Sequence, residues 1–540
     1  MWGMGVALAV TPTSHGMQGK WTMRYFNTAG PCRPDIHYML SPVERLPGLR
    51  RLIDQQAYFV VHAPRQVGKT TLMLTLAQQL TAEGRYTAVL LSLEAGAPFH
   101  HDPHLAQQEI IRSWRIGLAA QLPSERHPAW AETMEIPTLS ISEALAQWAQ
   151  TAPTPVVVFL DEIDALEDTT LISVLRQLRA GYPSRPQAFP WSLALIGMRD
   201  VRDYKVAAGG SDRLHTASPF NIKMRSLTLG NFTQDEVAQL YRQHTTETGQ
   251  VFTDEAVAYA YDLTAGQPWL VNALAKVCVE ELVEDTGQTI TRDDIEAAKW
   301  VLIERQDTHL DSLAERLREP RVRNLIAPML AGDLPGDLPD DDRRYVLDLG
   351  LVRRNPDTGV LEVANPVYRE VLPRVLSGGV QDALPRLEPV WLDGEGRLVP
   401  EKLLEAFLGF WRQHGEPLLR GVAYHEIAPH IVLMAYLQRV ENGGGRVTRE
   451  YAIGSGRMDV CLRYGGVTVG IELKVWREGA GDPEAEGLEQ LERYLAGLAA
   501  GAVGWLVIFD RRAGQPPVAE RTRAYRAVTP GGRTVTVVRA

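Results

Sequence analysis

The sequence predicts an α/β protein in which two sheet-bearing regions flank a helical middle, and three observations carry that reading. Apolar runs at 58–64, 87–96, 154–164 and 191–200 alternate with helix-patterned segments, as in a parallel sheet covered by helices on both faces. From Thr233 to about Gln306 the pattern is helical, as in TQDEVAQLYRQH and TDEAVAYAYDLTAG. Near the C-terminal end, Arg457–Tyr464 and Val467–Lys474 alternate in hydropathy around Gly465-Gly466, the mark of a β-hairpin with a two-residue turn. At 540 residues the chain exceeds one hydrophobic core and suggests three or four domains. The expected divisions are an extension (1–22), a first α/β unit (23–230), a helical unit (231–306), helices with a hairpin (307–378), a linker (379–402) and a second α/β unit (403–540).

Bulk composition narrows the class of function. Apolar content of 45% and charged content of 23% are ordinary for a globular chain. Cys32, Cys278 and Cys461 are far apart, which predicts a reducing, cytoplasmic setting and no disulfide framework. No apolar run approaches the ~20 residues of a membrane span. The first cation is Lys20, so MWGMGVALAV lacks the basic start of a signal peptide, and Met23 reads as an alternative start. The net charge of −10 excludes a generally basic nucleic-acid coat. Beyond Asp510, however, Arg511, Arg512, Arg521, Arg523, Arg526, Arg533 and Arg539 face only Glu520. That end reads either as a phosphate-contacting surface or as a solvated basic tail.

The segment Ala63-Pro64-Arg65-Gln66-Val67-Gly68-Lys69-Thr70 follows an apolar strand and, with Thr71, opens an amphipathic helix. Except for Ala63 in place of the first glycine, it is a P-loop, whose backbone N–H groups point at phosphates from a helix start. Ala63 lacks glycine's freedom, so the loop should begin at ordinary negative φ. Lys69 would reach the β- and γ-phosphates of ATP, and Thr70 would ligate Mg²⁺. The run Val156–Leu160 ends in Asp161 and Glu162. Two carboxylates closing a buried strand are costly unless they meet a cation or solvent. Asp161 is expected to hold Mg²⁺, and Glu162 to polarise the water that attacks the γ-phosphate.

These motifs resemble the AAA-like and STAND ATPases of prokaryotes, especially the archaeal-type ATPases that carry a winged helix, over roughly Tyr25–Leu376. The resemblance implies a P-loop NTPase sheet with a helical lid and a winged helix. It implies that adenine packs near His37, Tyr38 and Arg45, and that Arg199 or Asp200 stands at the sensor 1 position, although no small polar residue is found there. Gly266-Gln267-Pro268 would be the lid's GxP motif, with Pro268 near the nucleotide, or else simply a helix stop followed by a helix start. The winged helix, with Arg353 and Arg354 on its wing, would bind DNA, govern access to the nucleotide or join domains. Phe99-His100-His101-Asp102-Pro103-His104 reads as a proline-broken loop rather than a metal site.

In the C-terminal hairpin a two-residue turn places Tyr464 opposite Val467, Val460 opposite Ile471 and Asp459 opposite Glu472. One face is then apolar, and the other carries both acids and Lys474; a one-residue slip would separate them. Opposed carboxylates ~4.5–5.5 Å apart repel, and a hard divalent cation relieves the repulsion, with Mg²⁺ or Mn²⁺ suited to oxygen ligands. Lys474 could orient or help deprotonate an attacking water and steady developing phosphate charge. Only eight lysines occur, and two lie in these motifs.

The set Asp459…Glu472-Leu473-Lys474 resembles the PD-(D/E)XK phosphodiesterase superfamily over about Leu403–Phe509, which implies a restriction-endonuclease-like α/β domain. Its helix–meander–helix–strand order would run through a helix at 423–440, a strand RVTREYAI, the hairpin, a helix in PEAEGLEQLERYLAGLAA and a strand GWLVIF. Glu426 matches an acid that some members add to the metal site, or is simply exposed. Gln490 and Tyr494 match the QxxxY element of one branch, or Tyr494 is core. The expected function is an ATP-binding and hydrolysing protein that controls a metal-dependent DNA nuclease, in defence or mobile-element biology by family resemblance. The competing readings are a STAND-type scaffold whose C-terminal domain holds nucleic acid without cutting it, and an ATP-driven remodeller. ATP and DNA are the expected partners, no membrane is expected, and a homo-oligomer is left open.

Overall fold

The computed structural model describes residues 23–132, 139–199, 224–305, 315–330, 338–355, 358–383, 389–421, 428–441, 445–453, 456–498 and 501–540, with residues 222, 310 and 313. The four apolar runs form β1 (Tyr58–His62), β2 (Thr87–Ser92), β3 (Val156–Asp161) and β4 (Ser192–Gly197). A fifth strand, β5 (Arg225–Thr228), was not anticipated. Its four residues, RSLT, are half-exposed at the sheet edge and carry neither an apolar run nor an alternation. All neighbouring pairs are parallel, in the order β2-β3-β4-β1-β5. Alternate residues feed two cores. Tyr58 and Val60 join Val89, Val158 and Leu193 under helices Pro103–Gln121, Ile141–Thr151 and Asp168–Gly181. Phe59 and Val61 join Leu90, Phe159 and Ala194 under helix Lys69–Ala82. Burial on both faces explains why these strands read as continuous apolar runs.

Helices Gln234–Thr248, Asp254–Thr264, Pro268–Val277 and Arg292–Arg305 fill the helical middle. Thr233 and Glu236 form a capping box at the first, and Gln267 caps the third ahead of Pro268. Next come helices Pro320–Leu330 and Asp340–Asp348, then a hairpin of β6 (Val352–Arg354) and β7 (Leu361–Val363). At its tip the Gly359 N–H donates to Asn355 O (2.9 Å).

The stretch 379–402 departs from the expected linker. Helix Pro366–Ala383 runs into it, and Trp391 and Leu398 are both buried at 3% exposure, in one core with the helices around them. Scattered Pro, Gly and charge conceal these two anchors in the sequence. Helix Pro400–Gly421 was likewise unforeseen, and the next helix is described over Ala428–Glu441, the first residues of the expected 423–440 lying outside the described residues. Then follow β8 (Gly445–Ile453), β9 (Gly456–Tyr464), β10 (Val467–Trp476), helix Glu484–Leu495, β11 (Val503–Asp510), β12 (Arg523–Val528) and β13 (Thr534–Arg539). The sheet order is β12-β13-β11-β10-β9-β8, with β8–β9–β10 an antiparallel meander and β11 parallel to β10. The Arg-rich end is thus no loose tail, since it supplies the last two strands. Among the described residues, no helix is long and apolar enough to cross a membrane.

Gly266 ties the turn between the second and third of the middle helices to the segment that enters the first. It holds φ +70°, and its carbonyl accepts the Phe232 N–H at 2.8 Å. A Cβ there would lie 1.8 Å from the Phe232 carbonyl oxygen, a backbone atom with no rotamer to escape by. Gly266→Ala is therefore expected to cost about 2 kcal/mol or more, read as a lowered denaturation midpoint in urea; an unchanged midpoint would contradict the contact.

Candidate functional site: a phosphate loop and an acid pair

Between β1 and helix Lys69–Ala82 the chain turns through Gln66 (φ 59°) and Gly68 (φ 101°). Ala63 is not among the positive-φ residues, as its side chain requires. The turn lies beside the end of β3 because β1 and β3 flank β4. Thr70 Oγ1 donates to Asp161 Oδ2 at 2.7 Å, and the Glu162 N–H donates to Asp161 Oδ1 at 2.9 Å. Lys69 Nζ donates to the carbonyls of Ala63 and Pro64, both at 2.8 Å. Burial pulls the Lys69 ammonium below its usual range, opposed chiefly by Asp164 and Asp161, and pushes the Asp161 carboxyl upward. Thr70 and Asp161 thus form a hard-oxygen pair beside the phosphate loop, the donor set that Mg²⁺ takes with a nucleotide.

Glu162 sits in the left-handed region at φ 60°, a conformation costing on the order of 1 kcal/mol for a side-chain-bearing residue. Its carboxylate accepts from Ser92 Oγ at 2.6 Å, and burial raises its pKa. Two residues that sequence reasoning missed act here. Ser92 ends β2 in register with Asp161, and Asp164 Oδ1 accepts the Met198 N–H at 3.2 Å, which links β3 to the end of β4. The polar last residue of TAVLLS was the available signal for Ser92.

A cavity of about 280 Å³ opens beside Gln66, Val67, Gly68 and Thr71. Tyr38, Arg45, Phe232, Pro268, Trp269 and Asn272 are among its walls. His37 is directed elsewhere, since its Nδ1 accepts the Arg33 N–H (2.9 Å) and its ring meets Tyr25 edge-on. Pro64 and Arg65 border a second cavity of about 390 Å³, closed by Gly350, Arg353 and Tyr368 of the hairpin unit. The Arg199 guanidinium lies over the Tyr345 ring at 4.6 Å, so it faces that unit too. Asp200 lies outside the described residues. His101 is 3.6 Å from Asp168, and Asp102 caps helix Pro103–Gln121, in keeping with a polar loop at 99–104.

In the second sheet, Gly465 and Gly466 take φ 53° and 84°, the pair of positive angles of a type I′ turn. The predicted register holds at Tyr464–Val467, Leu462–Val469 and Val460–Ile471. Pairing of β9 with β10 stops there, one step short of the expected Asp459–Glu472 rung. The acids instead exchange backbone contacts. Asp459 Oδ2 accepts the Leu473 N–H at 2.8 Å, and the Glu472 carboxylate accepts the Asp459 N–H. A carboxylate that takes a ladder N–H replaces the backbone bond lost at that position.

Glu472 is 3% exposed and its Oε2 has no hydrogen-bond partner. Burial, and then the Asp459 charge, push its carboxyl up to about 8. Lys474 Nζ stands 3.4 Å from Glu472 Oε1, 3.3 Å from Glu486 Oε1 and 2.5 Å from Gln490 Oε1. Helix Glu484–Leu495 covers this face through Leu491 and Leu495, which pack on Leu506 and Ile508 of β11. Tyr494 belongs to the same cluster, since Glu472 and Asp459 raise its pKa after burial does. The structure therefore brings Asp459, Glu472, Lys474, Gln490 and Tyr494 together. Glu426 lies outside the described residues, and among those residues no group of three or more His, Cys, Asp or Glu could hold a metal. An orphaned buried oxygen beside a second carboxylate nonetheless fits a divalent cation.

Residues 41–297 match the family of AAA-like domains. No curated protein matches the chain. Among solved structures, the Walker-type ATPase PABY2304 of Pyrococcus abyssi is 14% identical, with a TM-score of 0.46 over 64% of this chain and 99% of that one. The RuvB Holliday junction branch migration motor of Thermotoga maritima is 16% identical, with a TM-score of 0.33 over 58% of this chain and 88% of that one. Cdc6p from Pyrobaculum aerophilum is 14% identical, with a TM-score of 0.33 over 64% and 98%. The phosphate loop, the parallel sheet and the matched family define a P-loop ATPase domain of the AAA-like kind. Nucleotide and Mg²⁺ use follow from that class.

Two outcomes are expected. Glu162→Gln should bind ATP as wild type does while phosphate release falls about 100-fold or more, because the carboxylate expected to polarise water is lost but the loop remains; full turnover in the variant would remove Glu162 from the reaction. At the acid pair, the folded chain holds a proton on Glu472 up to about 8, which the unfolded chain releases near 4.5. Stability in chelator should therefore fall as pH rises through that window. Glu472→Gln should flatten the drop in melting temperature, and Mg²⁺ or Mn²⁺ at about pH 8.5 should restore wild type but not the variant. Identical profiles for the two proteins would show that Glu472 ionises normally.

Proposed function

We propose that the chain is an ATP-controlled, metal-dependent nuclease, with an AAA-like ATPase core at 23–230, a lid at 231–306, a winged helix at 307–378 and a PD-(D/E)XK domain at 403–540. The observation that carries the nuclease half is Glu472 Oε2, buried and unpartnered beside Asp459. An isolated protein gains nothing by keeping such an atom, whereas a cation site needs it. Asp459 and Glu472 would hold Mg²⁺ or Mn²⁺, which when bound supplies Lewis-acid activation at a phosphodiester. Lys474 then bears on the attacking water and on the charge that gathers on phosphate. Gln490 accepts from Lys474 Nζ and so sets where that ammonium points.

Support for coupling comes from Gly350, at the foot of the hairpin. A Cβ on it would lie 2.8 Å from the Pro64 side chain, so the hairpin unit rests against the phosphate loop. Nucleotide that displaces the loop would press on the unit that leads into the C-terminal helices. DNA is the proposed substrate, and the exposed Arg523 and Arg526 on edge strand β12 are candidate phosphate contacts.

With Mg²⁺ or Mn²⁺, the full-length protein is expected to cleave DNA, and Asp459→Ala and Lys474→Ala each to lose about 100-fold or more of the rate without loss of DNA binding. Lys69→Ala should abolish the response of cleavage to ATP. Protein that binds DNA yet cuts no single- or double-stranded form with either metal, with or without ATP, would sink this reading in favour of a scaffold.

A further inference from the structure

The cavity beside the phosphate loop is walled mainly by apolar groups, Tyr38, Leu40, Phe232 and Trp269 among them. A nucleotide with its phosphates on the loop would direct its base there, because the cavity begins at Gln66, Gly68 and Thr71. One polar side chain on its wall is incompletely satisfied. Asn272, on helix Pro268–Val277, is only 7% exposed. Its Nδ2 donates to the Pro268 carbonyl one helical turn back, at 2.8 Å, which fixes the orientation of the amide. Its Oδ1 is buried without a hydrogen-bond partner.

A buried amide oxygen without a protein partner is an acceptor suited to a donor on a ligand. Adenine carries a 6-amino donor on its pairing edge, whereas guanine and hypoxanthine carry a 6-oxo acceptor there. We propose that Asn272 selects adenine nucleotides, with Oδ1 accepting a hydrogen from the exocyclic 6-amino group. This rests on the P-loop being a nucleotide site. Opposing a 6-oxo group to Oδ1 would leave two buried acceptors face to face, so the same oxygen both favours ATP and disfavours its oxo analogues. A purine with hydrogen at position 6 would offer Oδ1 no donor.

The test is calorimetric binding to the full chain in Mg²⁺ of three ligands: ATP, inosine triphosphate and purine riboside triphosphate. Wild type should bind ATP at least about tenfold more tightly than either analogue. In Asn272→Ala, ATP should fall to the affinity of purine riboside triphosphate, which should itself change less than about threefold. Equal binding of ATP and purine riboside triphosphate by wild type overturns the assignment, and needs no variant to fold. An ATP preference that survives in Asn272→Ala overturns it as well. Failure of all three ligands to bind wild type removes the nucleotide site itself, and is distinct from equal binding.

Discussion

Both sites are organised by acidic side chains that strands carry into the interior, Asp161 at the end of β3 and Glu472 in the middle of β10, where ionisation is penalised unless positive charge is near. At β3, burial opposes the charge on Asp161, and the Thr70 hydroxyl and the neighbouring N–H groups only partly offset it. At β10, burial and a second carboxylate act together on Glu472, and Lys474 stands close enough to relieve some of it. Neither arrangement maximises stability, because an apolar residue at either position would avoid the desolvation. Perturbed acids of this kind gather at functional sites more often than elsewhere in a fold.

The packing between these two sites is continuous. One hydrophobic cluster includes Leu270 and Trp300 of the helical middle, Val352 and Val363 of the small hairpin, and Val460, Ile471 and Phe509 of the second sheet. Trp391 and Leu398 lie in that cluster, so the segment joining the two halves is anchored rather than slack. A densely packed interior passes displacement on rather than absorbing it. Contact of Gly350 with Pro64 gives such a displacement a place to begin.

What could be read from the sequence followed burial. Strands β1 to β4 are covered on both faces and spell apolar runs, and the phosphate loop and its acids follow from their ends. The register of β9 and β10 was legible because two glycines fix the turn and one face is wholly apolar. Edge elements were not. β5 is four half-exposed residues, and β12 sets Arg523 and Arg526 three apart in a largely exposed RAYRAV without period-two alternation, so both resemble loop or tail. Trp391 and Leu398 are single anchors without periodicity. The exchange between Asp459 and the Leu473 N–H, Ser92 on Glu162, and the turn of His37 toward Arg33 depend on tertiary placement that no local pattern encodes.

The Lys69 ammonium bridges the carbonyls of Ala63 and Pro64 across the start of its own loop. A long cationic side chain ordinarily gives up much rotameric freedom when it grips an anion. Here most of that freedom is already surrendered, so an arriving triphosphate meets a cation at its post and swaps two peptide oxygens for its own. Recognition at this loop is then a substitution between partners rather than a disorder-to-order event.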